Sequence, residues 1–343
     1  MTGVQTCALP IYRTTYGHSL VVNPWGHVIA RAYDKPGFVT ALKDLHPDLE
    51  PKCTTCHAPK GHGAPDGTNV SKEGRKRYQE LMKQEQERNA KLPILPDATD
   101  HTTFVVFGDT RTNDSIHQEV VNGICQEAPQ AVFHTGDVVA SGSDTSLWAN
   151  AMRIENCLIQ PRILHTACGN HEDNFCTNNP LARALGQTRP YYSVAVAGLT
   201  FLMLDANNPT AEQLAWLRDL PADRPYIPVF HQPPYPTISG HGADAGVLRD
   251  FVPEFRRLGV KLSFNGHNHG YDRAEVGGIT YATAGGGGAP LYPCGRAQSY
   301  TKFCTSDYGF VKCQVQTDAH GTTVSCSAVR RGNQVIDTFA VTY

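Results

Sequence analysis

The chain has 343 residues, of which 40% are hydrophobic and 18% are charged, and this length allows one large domain or two ordinary ones. Lys plus Arg number 30 and Asp plus Glu number 32, a balance that gives no support to nucleic-acid binding or to a highly charged disordered chain. No run of about 18 apolar residues occurs, so the sequence predicts no membrane span. The 15 His permit a metal enzyme, and the 11 Cys raise the question of the redox compartment.

The first fifty residues are predicted to be a composite. Residues 1–11 resemble the translated read-through of a sequencing adapter, and we interpret them as an artefact, with the native start of the protein missing. In residues 12–50, alternating apolar residues flank the Asn-Pro-Trp-Gly turn at 23–26, which predicts a hairpin. The GHS-x-x-x-x-PWG stretch at 17–26 resembles the tail of the nitrilase family, but that family's catalytic Glu, Lys and Cys are not supplied here. We interpret the segment as a fused remnant, with a hairpin that packs on the main domain as the alternative.

Residues 51–100 contain a motif for haem attachment and a charged linker. Cys53, Cys56 and His57 have the C-x-x-C-H spacing of c-type haem, in which the thiols bond the vinyl groups and the histidine ligates iron. Few apolar residues follow to enclose a haem, so a local disulfide or a zinc-type pair stays as the alternative. Residues 71–92 are dense in Lys, Arg, Glu and Gln, which predicts a solvated helical linker.

From residue 101 the sequence alternates between strand and helix patterns. Short β-branched and aromatic runs predict strands, and the polar–apolar stretches between them predict helices. Thr210 followed by Gln213 has the capping-box spacing that opens a helix. The predicted strands are 102–107, 131–134, 162–167, 226–230 and 261–264, the predicted helices include 115–126 and 146–158, and residues 308–343 are mostly short strands. Residues 101–343 are therefore predicted to form one α/β domain.

Polar side chains follow the ends of five of these strands. They are Asp109, Asp137, the pair Asn170 and His171, His231, and the pair His267 and His269. Open α/β sheets bind ligands at the carboxyl ends of their strands, so we expect these side chains to meet in one crevice. Oxygen and imidazole ligands suit manganese, iron or zinc ions. Two such ions can clamp the oxygens of a phosphoryl transfer and activate a shared water, while an unligated His protonates the leaving group.

Six sequence blocks resemble those of the calcineurin-like metallophosphoesterases, in particular the bacterial branch similar to purple acid phosphatases. They are GDTR at 108–111, GDVV at 136–139, GNHE at 169–172, FHQPPY at 230–235, GHNHGYDR at 266–273 and the glycine-rich ATAGGGGAPLY at 282–292. The resemblance covers residues 101–343 and implies a four-layer α/β/β/α sandwich. It also implies a metal-dependent phosphoric ester hydrolase that acts on small phosphomonoesters, with phosphodiesters as an alternative.

The resemblance further implies a dinuclear metal centre with one shared carboxylate. Asp109, Asp137 and His269 would hold the first ion, and the same Asp137 together with Asn170, His231 and His267 would hold the second. His171 would stay off the metal ions, contact the phosphate and protonate the leaving group.

Two positions depart from the family pattern at the first ion. Purple acid phosphatases place a tyrosine where this chain has Ala140, and other relatives place a histidine where it has Arg111. The first ion would therefore lack one protein ligand, and no tyrosinate-to-iron purple colour is expected. Arg111 is instead a candidate catalytic residue, because its planar fork suits phosphate oxygens. His117 and Arg273 are further substrate-binding candidates, with a packed histidine and a surface ion pair as the alternatives.

Cysteine use favours an oxidising compartment. Setting aside Cys7, Cys53 and Cys56 leaves eight in the main domain, which are Cys125, Cys157, Cys168, Cys176, Cys294, Cys304, Cys313 and Cys326. Their even number and close spacings predict disulfides, although many pairings are open. Cys168 and Cys176 flank the GNHE block, and Cys313 and Cys326 lie in neighbouring predicted strands. We therefore expect a periplasmic or secreted protein, with reduced cysteines in a cytoplasmic enzyme as the alternative.

Two other functions stay open at this point. One is a c-type haem electron-transfer protein with a phosphoesterase-fold partner domain. The other is a binding domain that keeps the fold without turnover. The natural substrate, the identity of the metal and the oligomeric state are not predicted.

Overall fold

The computed structural model describes residues 102–172 and 175–343, together with the backbone of residues 19–22 and 28–32. Residues 1–11, the C-x-x-C-H motif and the predicted charged linker lie outside the described residues, so their assignments stay predictions.

The chain divides into two compact units, Met1–Asp97 and Ala98–Tyr343. In the first unit, strands β1 (Ser19–Val22) and β2 (Val28–Ala32) pair in antiparallel orientation. This pairing confirms the hairpin predicted around the Asn-Pro-Trp-Gly turn.

The second unit contains thirteen described strands, arranged in two sheets. In chain order they are β3 (Thr102–Phe107), β4 (Ala131–His134), β5 (Leu164–Thr166), β6 (Tyr192–Val196), β7 (Leu199–Met203), β8 (Tyr226–Val229), β9 (Leu262–Asn265), β10 (Tyr271–Val276), β11 (Ile279–Ala284), β12 (Thr301–Thr305), β13 (Gly309–Asp318), β14 (Gly321–Arg330) and β15 (Gln334–Thr342). One sheet has the order β15-β14-β13-β3-β4-β5, and the other has the order β12-β10-β11-β9-β8-β7-β6.

Helices lie between many of these strands in the chain. They are α1 (Asp114–Gln126), α2 (Thr145–Ile154), α3 (Asn156–Ile159), α4 (Pro180–Leu185), α5 (Ala211–Asp219), α6 (Ala245–Asp250) and α7 (Val252–Arg257). None of the helices in the described part of the chain has the length and apolar character needed to cross a membrane.

The sequence blocks follow parallel strands at the centre of each sheet. Strands β3, β4 and β5 are parallel neighbours in one sheet, and β7, β8, β9 and β11 are parallel in the other. The carboxyl ends of parallel strands share one edge of a sheet, so the loops after β3, β4, β8 and β9 can meet there. The remaining strands pair in antiparallel orientation at the sheet edges.

Three apolar clusters lie between four layers of secondary structure. Alternation along β3 turns Phe104 and Val106 toward the cluster shared by the two sheets, and Val105 and Phe107 toward the cluster shared with helices α1 and α2. A third cluster joins the second sheet to helices α5, α6 and α7. The order of layers is therefore α/β/β/α, as the sequence resemblance implied.

Three local predictions need correction. The predicted helix 146–158 is interrupted, because Glu155 leaves the helical region at φ −83° and ψ 10° and turns its buried carboxylate to His117. Thr210 caps α5 by accepting the Gln213 N–H, but the Gln213 side chain bonds the Asp205 backbone instead of completing the capping box. The strands from residue 309 onward are long hairpin strands rather than short ones, since continuous antiparallel pairing extends them.

Four disulfides link the eight cysteines of the second unit. The pairs are Cys125–Cys157, Cys168–Cys176, Cys294–Cys304 and Cys313–Cys326. The second and fourth pairs confirm the proximity that the sequence predicted, and the fourth joins directly opposed residues of β13 and β14. Disulfides persist in oxidising environments, so this set indicates an extracytoplasmic setting.

Removing the disulfide with the longest loop is expected to cost the most stability. Cys125 and Cys157 are 32 residues apart, whereas Cys168 and Cys176 are 8 apart. Because loop entropy of the unfolded chain grows with the logarithm of length, the Cys125→Ala/Cys157→Ala variant should lose about 1 kcal/mol more than Cys168→Ala/Cys176→Ala. Urea unfolding of both variants measures the difference, and equal losses would contradict the entropic argument.

Candidate active site

Three residues at the strand ends have left-handed backbone conformations. Asp109, Asp137 and His267 have φ angles of 55°, 58° and 68°. Such a conformation costs about 1–3 kcal/mol per residue and persists where the surroundings enforce it, often at functional sites. Hydrogen bonds enforce it here, because the Asp109 N–H donates to the Gly136 carbonyl (3.0 Å) and the His267 N–H donates to the Asp109 carboxylate (3.0 Å).

The loops approach so closely that two positions require glycine. A Cβ atom at Gly169 would overlap the Asp137 carboxylate, and a Cβ atom at Gly266 would overlap the Asp109 carboxylate. These glycines begin the GNHE and GHNHGYDR blocks, so their place in the blocks has a steric reason. The structure therefore brings the blocks of both sheets to one crevice.

Three acceptor groups converge on the Nε2 atom of His231. Its Nδ1–H donates to the Thr135 carbonyl (3.0 Å), which turns Nε2 toward the crevice. From Nε2 the distances are 3.0 Å to the Asn170 amide oxygen, 3.2 Å to His267 Nδ1 and 3.3 Å to an Asp137 oxygen. Asp137, Asn170, His231 and His267 are called the second position below, after the second ion that the sequence resemblance assigns to them.

Asp109, Asp137 and His269 are called the first position. The His269 Nδ1–H donates to the Pro290 carbonyl (2.6 Å), and its Nε2 lies 3.7 Å from an Asp109 oxygen. The Tyr292 ring stacks on the His269 imidazole with 4.2 Å between centroids. The imidazole is thus held in one orientation with Nε2 toward the carboxylate.

The guanidinium of Arg111 lies between two members of the first position. Its Nε donates to an Asp137 oxygen (3.2 Å), and its Nη2 donates to His269 Nε2 (3.3 Å). Arginine has no acceptor atom and cannot be a metal ligand. At Ala140, only the backbone carbonyl is available, and it accepts the Nδ1–H of His171 (2.8 Å). The first position therefore offers three side chains, against four at the second.

The surroundings shift the pKa values of the ionisable groups in the crevice in opposite directions. Burial raises the pKa of Asp109 to about 8. Burial also opposes ionisation of Asp137, but the charge and hydrogen bond of His231 outweigh it and hold the Asp137 pKa below its usual range. Burial lowers the pKa of His267 to about 3 and that of His269 to about 4, which keeps both imidazoles neutral.

These donors fit a metal ion. One ligand atom each of Asp109, Asp137 and His231 lies within 4.8 Å of the other two, and all three residues are buried. Burial lowers the pKa of His231, but the charge of Asp137 outweighs it and raises the pKa to about 9, so this pair attracts positive charge strongly. A bound cation would supply that charge, and mixed carboxylate, amide and imidazole donors suit manganese, iron or zinc.

His171 stands beside Asp137 with one ring nitrogen uncommitted. Its backbone N–H donates to an Asp137 oxygen (2.9 Å), and its Nδ1–H is held by the Ala140 carbonyl. Its Nε2 lies 3.8 Å from the other Asp137 oxygen, and the side chain is 31% exposed. The geometry leaves Nε2 available to a group that enters from solvent.

Glu172 joins the two loops that carry Asp137 and Asn170. Its buried carboxylate accepts the N–H groups of Asp137 (2.9 Å), Val138 (2.7 Å) and Gly169 (2.7 Å), with a longer bond from Val139 (3.3 Å). These backbone N–H groups make no hydrogen bond within a helix or strand, so the Glu172 side chain supplies the acceptors that they need. Glu172 belongs to the GNHE block, but the sequence alone indicates no role for it.

A Glu172→Gln variant is expected to be less stable by about 3 kcal/mol, because an amide NH₂ would face N–H donors that the carboxylate accepts. This corresponds to a fall of roughly 6–12 °C in the unfolding midpoint of a domain this size. The control Glu119→Gln removes an exposed carboxylate that pairs with Arg331, and should change stability by less than about 0.5 kcal/mol. Equal midpoints for the two variants would show that Glu172 does not hold the loops.

The structure places two sequence candidates away from these positions. His117 is buried in α1 and its Nε2 donates to Glu155 (3.1 Å). Arg273 pairs with Asp337 (2.7 Å) and Glu275 (3.2 Å). Both side chains contact these partners rather than the first or second position, and the Arg273–Asp337 pair is largely buried, with 12% and 9% of the two side chains exposed.

Sequence reasoning missed His241. Its ring stacks on His267 with 3.9 Å between centroids, and the Tyr292 ring meets it edge-on. The backbone N–H of His241 donates to the Asn268 side chain (2.8 Å), which fixes the loop there. Burial and the neighbouring His231 lower the pKa of His241. Nothing in the spacing after the FHQPPY block distinguished this histidine from any other exposed residue of a loop.

Comparison with known proteins identifies relatives of two parts of the chain. Residues 102–271 match the family model of the calcineurin-like phosphoesterases. Purple acid phosphatase 21 of Arabidopsis thaliana is 30% identical over 185 residues, which are 45% of this chain and 42% of that protein. Deaminated glutathione amidase of Mus musculus is 56% identical over only 34 residues, 10% of either chain.

Two of the solved structures that share the fold illustrate the similarity. The purple acid phosphatase PPD1 of yellow lupin (Lupinus luteus) seeds has a TM-score of 0.56 at 19% identity, covering 72% of this chain and 55% of that chain. GAP50, the anchor in the inner membrane complex of Plasmodium, has a TM-score of 0.57 at 17% identity, covering 71% of this chain and 89% of that chain. The chain spans less than half the length of the Arabidopsis phosphatase and about half that of the lupin one. It contains a calcineurin-like phosphoesterase domain with purple acid phosphatases among its relatives.

Proposed function

We propose that the protein is a metal-dependent hydrolase of phosphate esters, with small phosphomonoesters as its substrates. The observation that carries this proposal is the convergence of Asp137, Asn170, His231 and His267 at the second position, with His171 beside it. Asp137 and His231 are buried there, and buried ionisable groups are unfavourable unless they are paired or coordinate a metal ion. Phosphate release from a set of monoesters and diesters tests the reaction type, and inertness toward all of them with metal bound would refute it.

Each residue of the crevice has a separate task in this proposal. Asp137, Asn170, His231 and His267 would hold the metal ion at the second position. A bound ion would supply Lewis-acid chemistry, by polarising a phosphoryl oxygen and lowering the pKa of a nearby water. The Ala140 carbonyl fixes the Nδ1–H of His171, so the imidazolium form of this side chain would present its Nε2–H to the departing alkoxide and return to the neutral ring on donating that proton. A dinuclear centre, as the sequence predicts, requires a second ion at the first position, where Arg111 lies.

The four disulfides support a periplasmic or secreted location for this enzyme. Protein that is purified without reductant and then unfolded for a thiol assay should show the eight cysteines of the second unit oxidised. Eight reactive thiols would assign the protein to a reducing compartment instead.

A binding domain without turnover is the second candidate. The observation in its favour is the first position, where Ala140 and Arg111 supply no ligand. The fold neighbour GAP50 is the anchor in the inner membrane complex of Plasmodium, so this fold also occurs in a protein with an anchoring role. Tight metal binding without hydrolysis of any phosphate ester would favour this candidate over the enzyme.

A further inference from the structure

We infer that the guanidinium of Arg111 takes the place of the first metal ion, so that this protein holds a single metal ion, at the second position. The inference rests on the proposed function, which requires a metal ion but is satisfied by one. It concerns the residue at 111 and the neighbours that position it.

The backbone directs residue 111 toward the first position. The N–H groups of Thr110 and Arg111 both donate to the Asp137 carbonyl (3.1 and 3.3 Å), and the Asp109 N–H donates to the Gly136 carbonyl. The loop after β3 is thereby fastened to the loop after β4. Any side chain at position 111 therefore begins beside the Asp137 carboxylate, because these contacts are made by the backbone.

The guanidinium makes the contacts that a cation would make there. It donates to an oxygen of Asp137 (3.2 Å) and to the free nitrogen of His269 (3.3 Å), and its third nitrogen reaches the Thr112 hydroxyl (3.4 Å). The side chain is 16% exposed, so the charge is mostly withdrawn from water and acts strongly on its neighbours. Arg111 is therefore a fixed positive charge next to Asp137.

A metal ion at the first position would be both poorly ligated and repelled. The side chains on offer are Asp109, Asp137 and His269, and Ala140 gives its carbonyl to His171. The guanidinium of Arg111 carries a positive charge beside Asp137, so it would repel a cation bound to the same carboxylate. The second position has four donors and contains no such group among the described residues.

Metal counting with Mn²⁺ alone tests the inference without reference to activity. Metal-stripped protein is dialysed against Mn²⁺, and the bound metal is measured per chain by elemental analysis and by electron paramagnetic resonance. Wild-type protein is expected to bind one Mn²⁺ with the spectrum of an isolated ion. An Arg111→His variant, which removes the charge and adds an imidazole, is expected to bind two and to give an exchange-coupled spectrum.

Each outcome decides a separate point. Two Mn²⁺ ions in wild-type protein, or an exchange-coupled wild-type spectrum, overturn the role of Arg111 but leave the proposed function standing. No bound Mn²⁺ in wild-type protein, with other divalent ions equally absent, overturns the proposed function as well. The matched control Arg331→His changes an exposed arginine that pairs with Glu119 and should still bind one ion. If Arg111→His does not fold, the wild-type count and spectrum alone decide.

Discussion

An Asp137→Asn variant is expected to hydrolyse p-nitrophenyl phosphate more than about 100-fold more slowly than the wild-type protein. Loss of a residue that merely supports a metal ligand costs about 10–100-fold, and Asp137 is itself the proposed central ligand. One of its oxygens lies 3.3 Å from His231 Nε2, and the other accepts from Arg111 (3.2 Å). The amide removes the negative charge and sets an NH₂ donor against one of these groups. Steady-state rates at saturating Mn²⁺ measure the effect.

The control for this experiment is Asp223→Asn. Asp223 is an exposed carboxylate that pairs with its neighbour Arg224, and its loss should leave the rate unchanged. The amount of metal that each variant binds is expected to change in parallel with its rate of hydrolysis. An Asp137→Asn variant with wild-type hydrolysis would refute the assignment of this crevice as the active site.

A His171→Asn variant is expected to lose about 10²–10⁴-fold in kcat on an alkyl phosphate, the range for removal of a general acid. The loss on p-nitrophenyl phosphate should be much smaller, because p-nitrophenolate leaves without a proton. The backbone N–H of His171 still donates to Asp137 in the variant, so the loop and its ligands stay in place. The ratio of the two losses separates proton donation from a purely structural role.

His320→Asn is the matched control, since His320 is an exposed residue in the turn between β13 and β14. It should change neither rate. Equal losses of His171→Asn on both substrates would indicate that His171 binds phosphate but does not protonate the leaving group.

The blocks that form the crevice were predictable because each couples a strand to its loop. Strand β3 alternates Phe104 and Val106 with Val105 and Phe107, so its two buried faces and its end at Gly108 are legible in the sequence. Gly169 and Gly266 keep their places in the blocks for steric reasons. Polar residues directly after such strands then fall at one edge of the sheets.

Other features depend on contacts between distant parts of the chain. His241 reaches the crevice only because its loop is held by Asn268, and Glu155 meets His117 across 38 residues. The role of Glu172 depends on three consecutive backbone N–H groups of another loop. None of these pairings follows from a local periodicity or spacing, so they could not be predicted from the sequence. Arg273 shows the converse, because its block suggested phosphate whereas its partners are Asp337 and Glu275.

The most direct test of the account is phosphate release by the purified protein before and after chelation of its metal. We predict that metal-stripped protein releases no phosphate from phosphomonoesters and that Mn²⁺, iron or zinc restores the activity, since the donors of the second position suit these ions. Phosphate release that is unaffected by complete removal of metal would contradict the central claim that hydrolysis depends on a metal ion at Asp137.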